Sequence, residues 1–212
     1  MKNEKFLDQL INDLQPVKTF APPIQTALYW FVIAVLIIAT LDFFMMPLRA
    51  DLAQKLSEFS FILQWIFLLL ISVLAAMAVS WIGRPGRPGQ KLLINASFLL
   101  MGVFSSIFAA RGLQMGAHLG CEFGGVRCMA AIIMLSILPA AFFFWQSRRA
   151  ASVYPGLSGS LIGLASGTIG ATALALSCDD DKPFHLLEWH LVFPLLLLCV
   201  MGFLAGRKVL RW

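Results

Sequence analysis

The chain has little charge. Only 13% of its 212 residues are Asp, Glu, Lys or Arg, whereas 59% are hydrophobic. This balance excludes an ordinary soluble domain, in which about a quarter of the residues are charged. The apolar residues form continuous runs rather than an alternating pattern, which excludes strands. Several runs approach the roughly 20 residues that a helix needs to cross a bilayer. The sequence therefore predicts an integral membrane protein.

Three further absences narrow the function. The chain has no Cys-x-x-Cys motif, no phosphate-binding loop and no evident nucleophile–base pair, so we expect neither an enzyme nor a bound cofactor. Its basic residues are scattered between apolar runs and form no basic face, so we expect no direct contact with nucleic acid. The start, MKNEKFLDQLINDLQP, mixes acids with bases and has no apolar core, unlike a signal peptide.

Six apolar segments predict an all-α bundle of six transmembrane helices. The spans are Ile24–Met46, Phe61–Ile82, Lys91–Arg111, Arg127–Gln146, Gly156–Ser177 and Leu186–Gly206. Short connections such as GRPGRPGQ, residues 83–90, make neighbouring helices antiparallel. The fifth span carries Gly159, Gly163, Gly167 and Gly170 at three- and four-residue spacing, which predicts close helix packing within the bundle.

The distribution of basic residues predicts the orientation. Eleven bases flank the spans on the side that holds both termini, and five lie on the other side. The positive-inside rule places the eleven in the cytoplasm. We therefore divide the chain into a cytoplasmic N-terminal segment (1–23), a transmembrane domain (24–206) and a cytoplasmic C-terminal tail (207–212).

Two outer segments gather the residues that bind metals or undergo redox chemistry. They are AHLGCEFGGVRC, residues 117–128, and SCDDDKPFHLLEWH, residues 177–190. Their candidate side chains are Cys121, Cys128, Cys178, His118, His185, Glu188 and His190. Thiols outside the inner membrane meet an oxidising compartment. A static disulfide, a redox- or metal-responsive pair and unpaired buried thiols all remain open. Cys199 lies deeper, where a cysteine is commonly a small apolar residue.

A metal site is one hypothesis for these segments. Zinc or cadmium favours two thiolates with imidazole or carboxylate ligands, and the residue types are present, although their spacing matches no fixed motif. For Asp179–Asp181 we favour a solvated loop. Glu188 and His190 begin the sixth span, where ionisable groups either face a partner or cavity or lie at the membrane interface beside Trp189. Asp42, near the outer end of the first span, could likewise be such a partner or lie at the membrane interface.

The N-terminal segment NEKFLDQLINDLQP, residues 3–16, has the pattern of a short amphipathic helix. Its apolar face consists of Phe6, Leu7, Leu10, Ile11 and Leu14. A helix of about 13 residues is marginal alone in water and needs a surface. Its polar face mixes acids with bases, whereas a membrane-lying helix is usually basic. The pattern therefore favours docking in the groove of a protein partner.

The whole chain resembles the NrsF family of bacterial membrane anti-sigma factors, which regulate an extracytoplasmic-function (ECF) sigma factor. The resemblance rests on the Pro22–Pro23 pair before the first span, the Gly-Arg-Pro second loop and the stretch from His118 to Cys128. Its most specific part is Cys178-Asp-Asp-Asp, followed by Leu-x-x-x-His at 186–190 and the terminal Leu-Arg-Trp.

The resemblance implies a regulator at the bacterial inner membrane. Its cytoplasmic parts would hold an ECF sigma factor inactive and release it when an outer oxidant or toxic metal is sensed. The two characteristic cysteines of the family fall on Cys128 and Cys178, and Cys121 and Cys199 have no counterpart. The alternative from another class is a membrane thiol–quinone redox protein. The sequence names neither the stimulus nor the oligomeric state.

Overall fold

The computed structural model describes residues 21–84, 89–116, 123–150 and 152–211. Within these ranges the fold is all-α, as predicted. The helices are α1 (Pro23–Met45), α2 (Leu52–Lys55), α3 (Phe59–Ile82), α4 (Gln90–Gln114), α5 (Phe123–Ser147), α6 (Pro155–Leu174), α7 (Pro183–His185), a π-helical turn (Leu186–Val192) and α8 (Phe193–Val209).

Six helices are long and apolar enough to cross a membrane, which confirms the predicted number of spans. They are α1, α3, α4, α5, α6 and the continuous helix formed by α7, the π turn and α8. The last of these begins at Pro183 rather than at the predicted Leu186. Proline suits a first helical turn, where its missing N–H leaves no bond unmade. Hydropathy did not place this start because the first turns carry His185, Glu188 and His190.

The α6 helix lies at the centre of the bundle, where it packs against α8, α3 and α5. Its contact with α8 is made backbone to backbone. A Cβ added to Gly159 would lie 2.0 Å from the Gly202 carbonyl oxygen, and one added to Gly163 would lie 2.2 Å from the Leu198 carbonyl oxygen. Small residues permit this approach, which matters in lipid because helix association there depends on close packing. The predicted role of these glycines in packing is confirmed.

Buried polar groups fix the outer helices to this centre and to one another. The Ser72 hydroxyl of α3 donates to the Ala165 carbonyl of α6 at 2.8 Å. The Trp30 indole of α1 donates to the Pro139 carbonyl of α5 at 3.0 Å and stacks on Phe143 with ring centroids 4.4 Å apart. These hydrogen bonds stabilise the bundle, because a polar group without a partner costs several kcal/mol in an apolar environment.

The bundle has two chemically different ends. At the first end, where the described chain starts and finishes, Arg84 donates to the Ala21 carbonyl and the Gly206 backbone lies against the Pro155 carbonyl. The second end consists of residues 46–58, the start of α5 and residues 175–190. We call these the termini end and the cysteine end. The positive-inside rule predicts that the termini end faces the cytoplasm.

The glycine contact gives a first testable prediction. Gly202→Ala places a methyl group against the Gly159 carbonyl, at 2.2 Å, and must force α6 and α8 apart. We expect the purified protein in detergent to lose about 1–3 kcal/mol of stability, the usual effect of overpacking. The matched control is Gly102→Ala in α4, where an added Cβ meets nothing within 4 Å. A thermal unfolding midpoint that falls equally in both variants would contradict the packing account.

Candidate functional site

Four side chains with metal-ligating or redox-active groups meet at the cysteine end. Cys128 lies in the first turns of α5, Cys178 in the loop after α6, His185 at the end of α7 and His190 in the π turn. Each offers a ligand atom, and these four atoms all lie within 4.8 Å of one another. We call this group the Cys/His cluster. It joins two of the six spans through the loop between α6 and α7.

The two thiols of the cluster are neighbours. Cys128 Sγ lies 3.7 Å from Cys178 Sγ, and Cys178 Sγ lies 3.8 Å from Nε2 of His185. The sulfur–sulfur distance suits a contact between two thiols and is longer than a covalent bond of about 2.05 Å. Each thiol is half-buried. The structure therefore brings together the two cysteines that the sequence analysis selected.

The two imidazoles are more deeply buried than the thiols. His190 is 2% exposed and His185 is 9% exposed, and their ring centroids lie 5.4 Å apart. Neither ring nitrogen of His190 has a hydrogen-bond partner within the described residues. Nδ1 of His185 lies 3.6 Å from a carboxylate oxygen of Asp180. A buried polar atom without a partner costs about 1–3 kcal/mol, so the unpaired nitrogens of His190 require a physical explanation.

The π turn explains why the two imidazoles share one side of the helix. His185 and His190 are five residues apart, and in an α-helix this spacing turns them about 140° away from each other. The turn Leu186–Val192 instead follows the wider i to i+5 pattern, in which Phe193 donates its N–H to the Glu188 carbonyl. More residues per turn bring positions five apart close to one face.

Pro194 gives the physical reason for this wider turn. In an α-helix residue 194 would donate its N–H to the His190 carbonyl, but proline has no N–H and its ring collides with that carbonyl. Pro194 lies in the first turn of α8, immediately after the π turn. The helix therefore opens by one residue just before it, and His190 turns toward the thiols.

Two aromatic rings hold the turn against neighbouring helices. Phe184 lies against Gly112 of α4, where an added Cβ would come within 2.7 Å of the ring. Trp189 lies against Gly125 of α5, where the same test gives 2.3 Å. Glycine is required at both places because any side chain would displace the ring. The helix that bears the two histidines is thus fixed to both α4 and α5.

Arg49 holds the other side of the cluster. Its side chain is 1% exposed, and its Nη1 donates to the Cys178 carbonyl at 2.9 Å. The guanidinium also binds Asp51 and Asp181, each through both carboxylate oxygens, at 2.6 to 3.0 Å. Lys55 adds a bond to Asp181 at 2.9 Å. We call these ion pairs the Arg49 clamp. It ties the loop between α1 and α3 to the segment that carries Cys178.

Charge within the clamp keeps its groups ionised. The hydrogen bonds that Arg49 donates to Asp181 and then to Asp51 raise the pKa of Arg49 further above its ordinary value. Partial burial acts to raise the pKa of Asp181, but the bonds from Arg49 and Lys55 outweigh it and that pKa falls. The hydrogen bond from Arg49 likewise lowers the pKa of Asp51. The clamp therefore stays charged across the neutral range.

The surroundings of Cys178 favour its thiolate. A hydrogen bond from Cys128 is the largest influence that lowers the pKa of Cys178, whereas burial acts in the opposite direction. A thiolate is the form of cysteine that attacks oxidants and binds metals. The cluster is therefore suited to either chemistry.

The other predicted residues fall in several places. Glu188 is half-buried and outside the four-residue group, and Cys199 packs against the apolar core as expected. Asp42 is 4% exposed and lies 3.5 Å from the Ser177 hydroxyl. Asp179–Asp181 form a loop in which Asp179 and Asp181 are exposed, as expected, but Asp181 also binds Arg49 and Lys55. Other predicted residues lie outside the described residues: Cys121, His118, Phe6, Leu7, Leu10, Ile11 and Leu14.

Sequence reasoning missed Arg49 and Pro194. Arg49 follows the first span on the side with few bases and many acids, so a buried partner among Asp179–Asp181 was a detectable signal. Pro194 stands eight residues inside the predicted sixth span, where proline commonly disturbs a helix. Neither signal shows in which direction the side chains point around their helices, and it is this direction that brings the four residues of the Cys/His cluster together.

Comparison with known proteins supplies the family. The model of the family NrsF, negative regulator of sigma F, matches residues 10–212. The chain belongs to this family. It is also 28% identical over 169 residues to the anti-sigma-F factor NrsF of Caulobacter vibrioides, across 77% of this chain and 78% of that protein. No solved structure matches it. The resemblance drawn from the sequence is confirmed, and family membership implies a regulatory rather than an enzymatic role.

The Arg49 clamp gives a second prediction. Arg49→Gln removes the charge that binds Asp51 and Asp181 and weakens the bond to the Cys178 carbonyl. Loss of these charge-assisted bonds lets the segment that carries Cys178 open more often, so we expect Cys178 to be alkylated about tenfold faster than in the unmodified protein. Mass spectrometry of alkylated peptides measures this rate in detergent-solubilised protein.

The control for this experiment is Arg148→Gln, which changes an exposed arginine at the termini end. Cys199 supplies an internal reference in the same sample. Unchanged alkylation of Cys178 in the Arg49 variant would show that the clamp does not restrain this segment.

Proposed function

We propose that this protein is an anti-sigma factor that holds an ECF sigma factor inactive at the inner membrane. A redox or metal stress on the outer side reaches Cys128 and Cys178, and the sigma factor is then released. Membership of the NrsF family supports the sigma partner. The observation that carries the sensing step is the pairing of two thiols, 3.7 Å apart, at the end of the bundle away from both described chain ends.

The charge pattern supports this orientation. Most basic residues flank the termini end, as the positive-inside rule requires of a cytoplasmic side. The Cys/His cluster then faces the oxidising compartment, where thiol chemistry can report on conditions outside the cell. The sigma factor is cytoplasmic, so the stimulus and the partner lie on opposite sides of the bilayer.

The partner is held by the N-terminal segment, residues 1–23. Its first 20 residues lie outside the described residues, so this assignment rests on the sequence pattern. Residue 21, where the description begins, lies at the termini end beside Arg84. A partner bound to the apolar face of Phe6, Leu10 and Leu14 is therefore attached directly to the cytoplasmic entrance of α1.

The α6–α8 pair provides a route across the membrane. Cys178 follows α6, and the π turn with His190 leads into α8. These helices touch through backbone from the Leu198 carbonyl to Gly206, which lies against the Pro155 carbonyl. Such tight packing resists local adjustment, so a change at the cluster shifts the two helices as packed elements. The shift reaches the termini end where the partner is held.

The docking segment can be tested with a charge on its apolar face. Leu10→Asp or Ile11→Asp should release the sigma factor into the soluble fraction while the protein stays in the membrane. Burying an unpaired carboxylate in an apolar interface costs several kcal/mol, enough to reduce binding by about 100-fold or more. The measurement is the sigma factor retained on washed membranes.

The matched control places the change on the polar face of the same segment, as Asp13→Asn. This variant should retain the sigma factor. If Leu10→Asp retains it equally, the segment is not the docking site.

The sensing step can be tested by removing each thiol. Cys128→Ser and Cys178→Ser should abolish the response of a sigma-dependent reporter to thiol-reactive stress to the same extent. The double variant should add little, because two groups that act as one unit are not additive. Cys199→Ser is the control, since this thiol packs in the core and should leave the response intact. Additive effects of the two single variants would argue against a shared site.

A further inference from the structure

We propose that Cys128, Cys178, His185 and His190 are the four ligands of one thiophilic divalent cation of the zinc class, Zn²⁺ or Cd²⁺. This inference rests on the proposed function and deepens it, because it names the ligand of the sensing site and adds both histidines to that site. The metal would bind in the space between the four ligand atoms, which lie within 4.8 Å of one another.

The thiol spacing matches a shared metal. In a tetrahedral site with Zn–S bonds of about 2.3 Å, two sulfurs lie about 3.8 Å apart. The observed distance between Cys128 Sγ and Cys178 Sγ is 3.7 Å. The distance from Cys178 Sγ to His185 Nε2 is 3.8 Å, close to the roughly 3.6 Å that a sulfur and a nitrogen span across such a site. Small side-chain movements would complete the coordination.

The histidines have the features of ligands that are prepared for a metal. His190 is 2% exposed, and both of its ring nitrogens lack partners within the described residues. A metal bond would satisfy one of them. His185 directs Nε2 toward Cys178, while its Nδ1 lies 3.6 Å from the Asp180 carboxylate. At 3.6 Å this carboxylate makes no hydrogen bond to Nδ1, but it stands where the outer-shell partner of a zinc ligand stands, and a small movement of either side chain would form that bond.

The ligand set determines the kind of cation. Two sulfurs and two imidazole nitrogens suit zinc and cadmium, whereas calcium and magnesium require oxygen ligands. Four protein ligands leave no position for a substrate, so the site is closed and serves structure or signalling rather than catalysis. Binding forms metal–sulfur bonds with both thiolates, and a sulfur that still carries its proton releases it to solvent.

Metal binding is linked to the π turn. The two imidazoles face one another only while Leu186–Val192 keeps the wider helical pattern, as an α-helical turn would rotate His190 away. A cation bound by both histidines therefore stabilises this pattern at the start of α8. Binding or loss of the cation therefore changes the free-energy difference between the π-helical and the α-helical form of Leu186–Val192. Because this segment leads into α8, a change between the two forms would alter how α8 packs on α6.

Cobalt provides a direct probe of the ligands. The full-length protein, with an affinity tag free of histidine and cysteine, is purified in detergent under reducing conditions and titrated with Co²⁺. We expect sulfur-to-cobalt charge-transfer absorption and the intense visible bands of tetrahedral cobalt. Zn²⁺ and Cd²⁺ should each abolish these bands by displacement, and their competition curves give the relative affinities.

Single variants assign each ligand. His185→Ala, His190→Ala, Cys128→Ser and Cys178→Ser should each weaken binding by at least about 100-fold, since even an outer-shell partner typically contributes about 10- to 100-fold. Cys199→Ser is the matched control and should bind as the unmodified protein does. Elution volume and helical content show whether each variant is folded.

Pro194→Ala tests the link to the π turn without changing a ligand. The new N–H can donate to the His190 carbonyl and restore the α-helical pattern, so metal affinity should fall by about tenfold or more. Affinity equal to that of the unmodified protein would show that the π turn is not needed for binding.

Two outcomes overturn the proposal without relying on any variant. One is a titration with no sulfur-to-cobalt absorption, and the other is failure of Zn²⁺ to protect Cys128 and Cys178 from alkylation. Binding that survives both histidine variants would overturn the four-ligand site. Sigma retention on the same membranes separates the two proposals: a sigma factor held by protein that binds no metal leaves the anti-sigma function standing and removes only the metal site.

Discussion

A missing hydrogen bond organises the cysteine end of this bundle. Pro194 cannot donate an N–H to the His190 carbonyl, so the helix before it adopts a π turn. The turn directs His190 toward Cys178 and brings its ring within 5.4 Å of that of His185. Phe184 and Trp189, seated on Gly112 and Gly125, then fix the turn against two other spans. The thiol pair gains its histidine neighbours only through this local departure from α-helical geometry.

The Arg49 clamp and the glycine contact extend this organisation in two directions. Arg49 holds the Cys178 segment to the loop between α1 and α3 through partly buried, charge-assisted hydrogen bonds. The contact between α6 and α8, from Gly163 to Gly206, extends toward the termini end. A reactive site that joins the loop after α6 to the tightly packed α6–α8 pair is well placed to convert local chemistry into helix movement.

The sequence predicted those features that depend on length and composition. Continuous apolar runs gave six spans, and the spacing of Gly159, Gly163 and Gly167 gave the packed stripe, because both are properties of one helix at a time. The selection of Cys128 and Cys178 as a pair came from the family resemblance, whereas the residues alone left their contact open. Hydropathy does not show in which direction a side chain points around the helix axis. The contact between His185 and His190 is therefore seen only in the three-dimensional structure. Arg49 escaped notice because charge counts assign a side of the membrane and not a partner.

The proposed function requires that the N-terminal segment holds a sigma factor while the sensor lies at the opposite end of the bundle. The most direct measurement is a pull-down from detergent-solubilised membranes, with the full-length chain and with residues 2–15 deleted, read by mass spectrometry. We expect an ECF sigma factor to be recovered with the full-length chain and lost with the deletion. Recovery of the sigma factor with both forms, or of no cytoplasmic partner with either, would contradict it.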